Sequence, residues 1–228
     1  MITEFVVPGC LVSDLDNKAE NYIKSRGARP AFKGYMGFPS TLCVSIEDAV
    51  VHGIPSKEIE LEEGQIVGID CGAELNGYYG DHAKTFAVGN ISEDKKKLMS
   101  VTQESLFKGI EKAIPGNTVG DIGFAIQSHA ETNGYSVVRE LVGHGIGESL
   151  HEEPQIPNYG SPNSGYRLHS GMCIAIEPMI NLGSKDIYTA DDGWTILTAD
   201  GRASAHFEHT IAILEDGPRI LSMVGEHG

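Results

Sequence analysis

The chain has 228 residues with a formal net charge of −15, 28 glycines and four cysteines. That length suits one large domain with a real core, and the acidity argues against a nucleic-acid or anionic-membrane surface. No apolar run approaches the ~20 residues of a membrane span, the start "MITEFVVPGC" lacks the pattern of a signal peptide, and the scattered cysteines, without a CxxC pair, read as reduced thiols.

Taken in chain order, "VVPGCLVSDLDNKAENYIKSRG" (6–27) reads as a Pro-Gly turn followed by an amphipathic helix that ends at Gly27. "LEEGQIVGID" (61–70) is a turn leading into a strand rich in β-branched residues, and "GDHAKTFAV" (80–88) is a second strand. Ser92 can cap a helix running to about Ile114, with Met99, Leu106, Ile110 and Ala113 on one face. A second Pro-Gly turn and helix follow in "AIPGNTVGDIGFAIQSHAETNG" (113–134), where Val119, Ile122, Ile126 and Ala130 form the apolar stripe. "EEPQIPNYGSPNSGYRLHSG" (152–171) reads as a loop. "LHSGMCIAIE" (168–177) and "FEHTIAILE" (207–215) supply two more turn-and-strand segments.

These segments repeat. At an offset of 107, Pro8, Gly9, Val12, Asp14 and Gly27 meet Pro115, Gly116, Val119, Asp121 and Gly134, and Asp70 falls on Glu177. A change of register then sets Asp81 against Glu208 and His82 against His209. The expectation is one α+β domain over 1–228: two pseudo-twofold-related halves with a mostly antiparallel sheet and helices outside.

Equivalent acids from two such halves converge near the axis. Four buried carboxylates cannot all stay ionised without cations, so divalent metals are the natural counter-charge. Oxygen donors plus a histidine suit Mn, Fe(II) or Co, and a pair of metals can share carboxylates and activate water. In "LVGHGIGESLHEEP" (141–154), His144 and His151 are open to roles as ligand, proton mover or polar loop residue.

The ordered set "VVHGIP" (50–55), "IDCGAELNGYYGD" (69–81), "VGHGIGESLHEEP" (142–154), "IAIEPMI" (174–180) and "DGWTILTADGRASAHFEHTI" (192–211) resembles the type I methionine aminopeptidases. The resemblance runs from about Pro8 to Leu221. It implies the pita-bread fold, two divalent metal ions (Co, Mn, Fe(II) or Zn), and removal of initiator methionine when the second residue is small. In that reading Asp70 binds one metal, Asp81 and Glu208 bridge both, and His144 and Glu177 complete the second. A metal-bridging hydroxide attacks the first peptide carbonyl, Glu177 moves the proton, and His52 and His151 contact substrate. Tyr35, Phe38, Cys43 and Trp194 form the methionine pocket. The resemblance also implies the N-terminal methionine of nascent polypeptides as partner, transient ribosome association, a monomer, a cytoplasmic location, and no nucleic-acid or membrane binding.

Three positions depart from the usual pattern. His82 stands where threonine is commoner, Leu150 where an aromatic is usual, and "GSKDIYTADDGW" (183–194) has one lysine against three aspartates where bacterial relatives tend to be basic. The runner-up readings are a non-catalytic pita-bread binding protein and a proline-directed relative, prolidase or aminopeptidase P. By the 107-residue offset, the helix before Pro115 has a counterpart upstream of Met1, so the chain is expected to lack most of the family's N-terminal helix.

Overall fold

The computed structural model describes residues 2–223. After a 3-10 turn at Ile2–Phe5 come helix α1 (Val12–Ser25) and strands β1 (Leu42–Ile46), β2 (Ile66–Cys71) and β3 (Ala83–Ala87). Helices α2 (Glu93–Ile110) and α3 (Val119–Thr132) lead into the second half. Its strands are β4 (Gly143–Gly145), β5 (Glu152–Ile156), β6 (Cys173–Ile176), β7 (Met179–Asn181), β8 (Ser204–His206) and β9 (His209–Leu214).

Local chemistry explains the helices. Val12, Leu15 and Ala19 recur at helical spacing and bury one face of α1 against Leu42, Val44, Val67 and Ile69 of β1 and β2. Ser92 Oγ accepts the Lys95 N–H at the start of α2, and Thr118 with Asp121 forms a reciprocal cap on α3. Leu98, Val101, Leu106, Ile122 and Ile126 of these helices then pack on Ile174, Ile176, Ile211 and Ile213 of β6 and β9. Helix α2 ends at Ile110, short of Ile114, yet Ala113 is still fully buried in the turn that follows. The segment 152–171, expected to be loop throughout, begins as strand β5, paired antiparallel with β4.

The duplication is physical. Helices α1 and α3 have identical length and lie 107 residues apart at both ends. Gly9 N–H donates to Leu61 O (2.7 Å) as Gly116 N–H does to Leu168 O (3.0 Å), and Leu11 bridges Glu60 as Thr118 bridges Arg167. Gly27 and Gly134, at φ +75° and +86°, close the two helices in a conformation that suits glycine. All strand pairing among the described residues is antiparallel.

One part of the alignment is corrected. Ile69 of β2 pairs with Lys84, whereas its counterpart Ile176 of β6 pairs with His209, so β3 and β9 are related by an offset of 125 (84 to 209). The sequence match of Asp81 with Glu208 implies 127. The true counterpart of Asp81 is His206, and that of Glu208 is Ala83. A shift of two preserves strand parity, so the acids keep the face expected of them.

Candidate metal centre and substrate cleft

The central strands deliver acids to one cleft. Asp70 comes from the end of β2, Asp81 from just before β3, Glu177 from just after β6 and Glu208 from the link between β8 and β9. Asp81, His144 and Glu208 each offer a ligand atom within 4.8 Å of the others. Glu177 Oε1 lies 3.5 Å from His144 Nε2, and Asp70 is close enough to Asp81 for the carboxyls to share a proton. All five expected ligands line a single cavity.

Electrostatics argue for a cation. Burial first, then repulsion from neighbouring carboxylates, pushes Asp70, Glu177 and Glu208 well above the usual carboxylate range. Burial also lifts Asp81, to about 6, against the lowering effect of hydrogen bonds from Asp70 and the His82 N–H. Asp70 Oδ1 and Glu208 Oε1 are shut from solvent and have no hydrogen-bond partner among the described residues. Buried acceptors without donors are costly unless a cation satisfies them. The donor set therefore fits divalent metal.

The glycines around His144 have a steric cause. A Cβ on Gly143 would sit 2.3 Å from Ala175 O, and one on Gly145 would sit 2.3 Å from Glu153 O. Only glycine lets β4 lie this closely between β5 and β6. His144 Nδ1 donates to Gly145 O at 2.8 Å. Because a carbonyl only accepts, the proton is on Nδ1 and the Nε2 lone pair faces the acids. Burial lowers the His144 pKa to about 4, so the ring is neutral and ready to ligate.

His151 stands beside it. Its ring meets His144 edge-on at 4.3 Å, and its Nδ1 is 2.9 Å from the Tyr35 hydroxyl. His52 lines the same cavity in a left-handed backbone conformation (φ +59°). The following Gly53 is pressed against β1, where an added Cβ would fall 2.1 Å from Val44 O. Gly53→Ala is therefore expected to cost about 1–3 kcal/mol as an overpacking change, read as a fall in melting temperature.

The rest of the cavity is apolar. Phe38 and Trp194 meet edge-to-face at 5.2 Å, with Cys43 buried nearby and Tyr35 at the mouth. The cavity measures about 170 Å³ and adjoins a second of about 480 Å³ that shares His52, His144, His151 and Glu177. Phe32, Met36 and Leu150 also line the first; Phe32 and Met36 flank Tyr35 outside the quoted motifs and carried no periodic signal. His82, by contrast, points away from the acids: it stacks on His209 at 4.7 Å and hydrogen-bonds Glu208 O through Nδ1. Sequence reasoning missed His206, Thr85 and Thr210; the only cue was their closeness in sequence to the acids.

The comparisons agree with this geometry. The model of metallopeptidase family M24 matches residues 1–215. The methionine aminopeptidase of Clostridium perfringens is 53% identical over 98% of this chain and 90% of its own. The crystal structure of methionine aminopeptidase from Rickettsia prowazekii superposes with a TM-score of 0.96 at 44% identity, covering 97% of this chain and 90% of that one. A prolidase from Pyrococcus furiosus shares the fold at TM-score 0.79 and 25% identity, but this chain spans only 59% of it. A buried carboxylate cluster in two duplicated halves, and near-full-length likeness to bacterial enzymes, place the chain in metallopeptidase family M24, among the type I methionine aminopeptidases.

Proposed function

We propose that this chain removes the N-terminal methionine of polypeptides, with Asp70, Asp81, His144, Glu177 and Glu208 holding two divalent ions. The observation that carries this reading is the adjacency of the five donors to the aromatic, apolar wall of the same cavity. The hard oxygen donors with one imidazole favour Mn, Fe(II) or Co over structural zinc. Bound ions would polarise the first peptide carbonyl and activate water.

The chain's own groups do the rest. Tyr35, Phe38, Cys43 and Trp194 hold the methionine side chain; aromatic rings and a thiol suit a polarizable thioether. The ion held by Asp70 would meet the substrate's free α-amine, which accounts for exopeptidase rather than internal cleavage. Glu177 receives a proton from water and passes it to the leaving amine. His151 and His52 hydrogen-bond the scissile peptide and the leaving side. Nascent chains as substrates, with cysteines that are all free, go with a cytoplasmic, monomeric enzyme that meets the ribosome transiently.

The test is cleavage of Met-Ala-Ser against X-Pro peptides by protein stripped with EDTA and reloaded with Mn or Co. Methionine release restored by metal is the expected result; X-Pro cleavage would favour a prolidase-like activity, and no cleavage a binding protein. Met-Ala peptides are expected to be cleaved well and Met-Arg peptides poorly, measured as kcat/KM. Equal values for both would contradict a site built for small second residues.

A further inference from the structure

The pseudo-twofold gives Asp81 a counterpart, His206, for which the reading above has no task. Two threonines hold the pair in matching ways. Thr210 Oγ1 accepts the Asp81 N–H (2.9 Å) and donates to Asp81 O (2.8 Å). Its counterpart Thr85 does the same for the His206 N–H (2.9 Å) and His206 O (2.8 Å). Both threonines are buried. Each hydroxyl thus fixes a peptide of the other half, and the side chains of Asp81 and His206 project from anchored backbone.

His206 is 4% exposed, and its Nε2 is shut from solvent without a hydrogen-bond partner among the described residues. That nitrogen lies 3.8 Å from Glu177 Oε2, while the other oxygen, Oε1, lies 3.5 Å from His144 Nε2. The Glu177 carboxylate is therefore flanked by two imidazoles. On the Oε1 side His144 offers a lone pair, as its Nδ1–H is engaged, and His144 belongs to the group that can surround a cation. His206 is outside that group. A bare Nε2 there would set lone pair against lone pair in a buried place, whereas a proton on Nε2 makes the contact attractive. Closing from 3.8 Å to a normal ~3.0 Å bond takes about 0.8 Å of side-chain movement.

We propose that His206 is a positioning residue for the metal centre: it carries its proton on Nε2 and donates it to Glu177 Oε2, holding the carboxylate so that Oε1 faces His144 and the cation. The proposal rests on Glu177 being a metal ligand. Without the donor, Glu177 is constrained from one side only. Partners of this kind commonly carry ~10–100-fold of metal affinity.

The test is a calorimetric titration of Mn²⁺ into metal-stripped protein for the wild type, His206→Leu and His206→Gln. The leucine variant is expected to bind Mn²⁺ ~10-fold or more weakly. The glutamine variant, which keeps an N–H donor at similar reach, is expected to restore most of the affinity. Full affinity in His206→Leu, or equal weakness in both variants, overturns the hydrogen-bond role. Nitrogen-15 NMR of the zinc-loaded wild type reads the tautomer directly and does not depend on how the variants fold. A proton on Nε2 is expected, and one on Nδ1 with Nε2 bare overturns the proposal. A wild type that binds no Mn²⁺ at all would instead count against the metal-centre reading itself.

Discussion

Asp81→Asn is expected to fold and yet show no measurable turnover, losing more than the ~10–100-fold typical of outer-shell changes. Asp81, like Glu208, offers a ligand atom within 4.8 Å of His144 and of the other acid; in the proposed centre these two acids bridge the ions, so losing the Asp81 charge would remove one of two bridges. Stability of the metal-free protein should move the other way. Burial raises the Asp81 pKa in the folded protein from the ordinary 3.8 to about 6. For an acid raised on folding, the native state binds the extra proton. The penalty is absent below pH 3.8, grows as pH rises through about 6, and is complete above it. Metal-free Asp81→Asn should therefore melt above the metal-free wild type at pH 8, and the gap should shrink at pH 4. Mn²⁺ should raise the wild-type melting temperature more at pH 8 than at pH 5. Scanning calorimetry with and without metal checks all three. Activity that persists in Asp81→Asn, or a metal-free variant less stable than the wild type at pH 8, would contradict the assignment.

The parts legible from the sequence are those set by local chemistry. The stripe Val119, Ile122, Ile126 and the left-handed glycines Gly27 and Gly134 placed both repeated helices, because spacing and positive φ leave marks on single residues. The ligand-bearing segments were legible as an ordered set, not singly. Register was not: over a short strand match, offsets of 125 and 127 put the same side chains on the same face, and only the pairing of Ile69 with Lys84 and Ile176 with His209 separates them. That two-residue error concealed His206 as the counterpart of Asp81.

Composition also hid strand β5. The Pro, Asn and Gly content of 152–171 reads as loop, and Pro154 cannot donate to a ladder. It is accommodated because β5 lies at the edge of its five-stranded sheet and needs pairing on one side only. His82 adjoins Asp81 in sequence, and the alternation of neighbouring side chains predicts a ring on the other face. Strand alternation sends its ring the other way, to His209 and Glu208 O.

The second large effect separates the two histidines, His144 and His151, that stand seven residues apart. His151→Ala is expected to bind Mn²⁺ normally and lose ~10²–10⁴ in kcat, the span of a positioned proton-transfer or hydrogen-bonding group. His144→Ala is expected to lose metal affinity as well as rate. The difference follows from where the nitrogens point. His144 Nδ1 is committed to Gly145 O, which leaves Nε2 free beside Asp81, Glu208 and Glu177. His151 Nδ1 is engaged by the Tyr35 hydroxyl at the cavity mouth, and the ring is absent from the ligand group. A phenol is the stronger acid of that pair, so Tyr35 is the natural donor; His151 then keeps its proton on Nε2, able to donate to a substrate carbonyl. Tyr35→Phe should accordingly reproduce a smaller part of the His151→Ala loss without weakening Mn²⁺ binding. Calorimetric Mn²⁺ titration beside steady-state kinetics on Met-Ala-Ser resolves the three variants. Equal metal affinity in His144→Ala and His151→Ala would show that the roles of the two rings have been assigned wrongly.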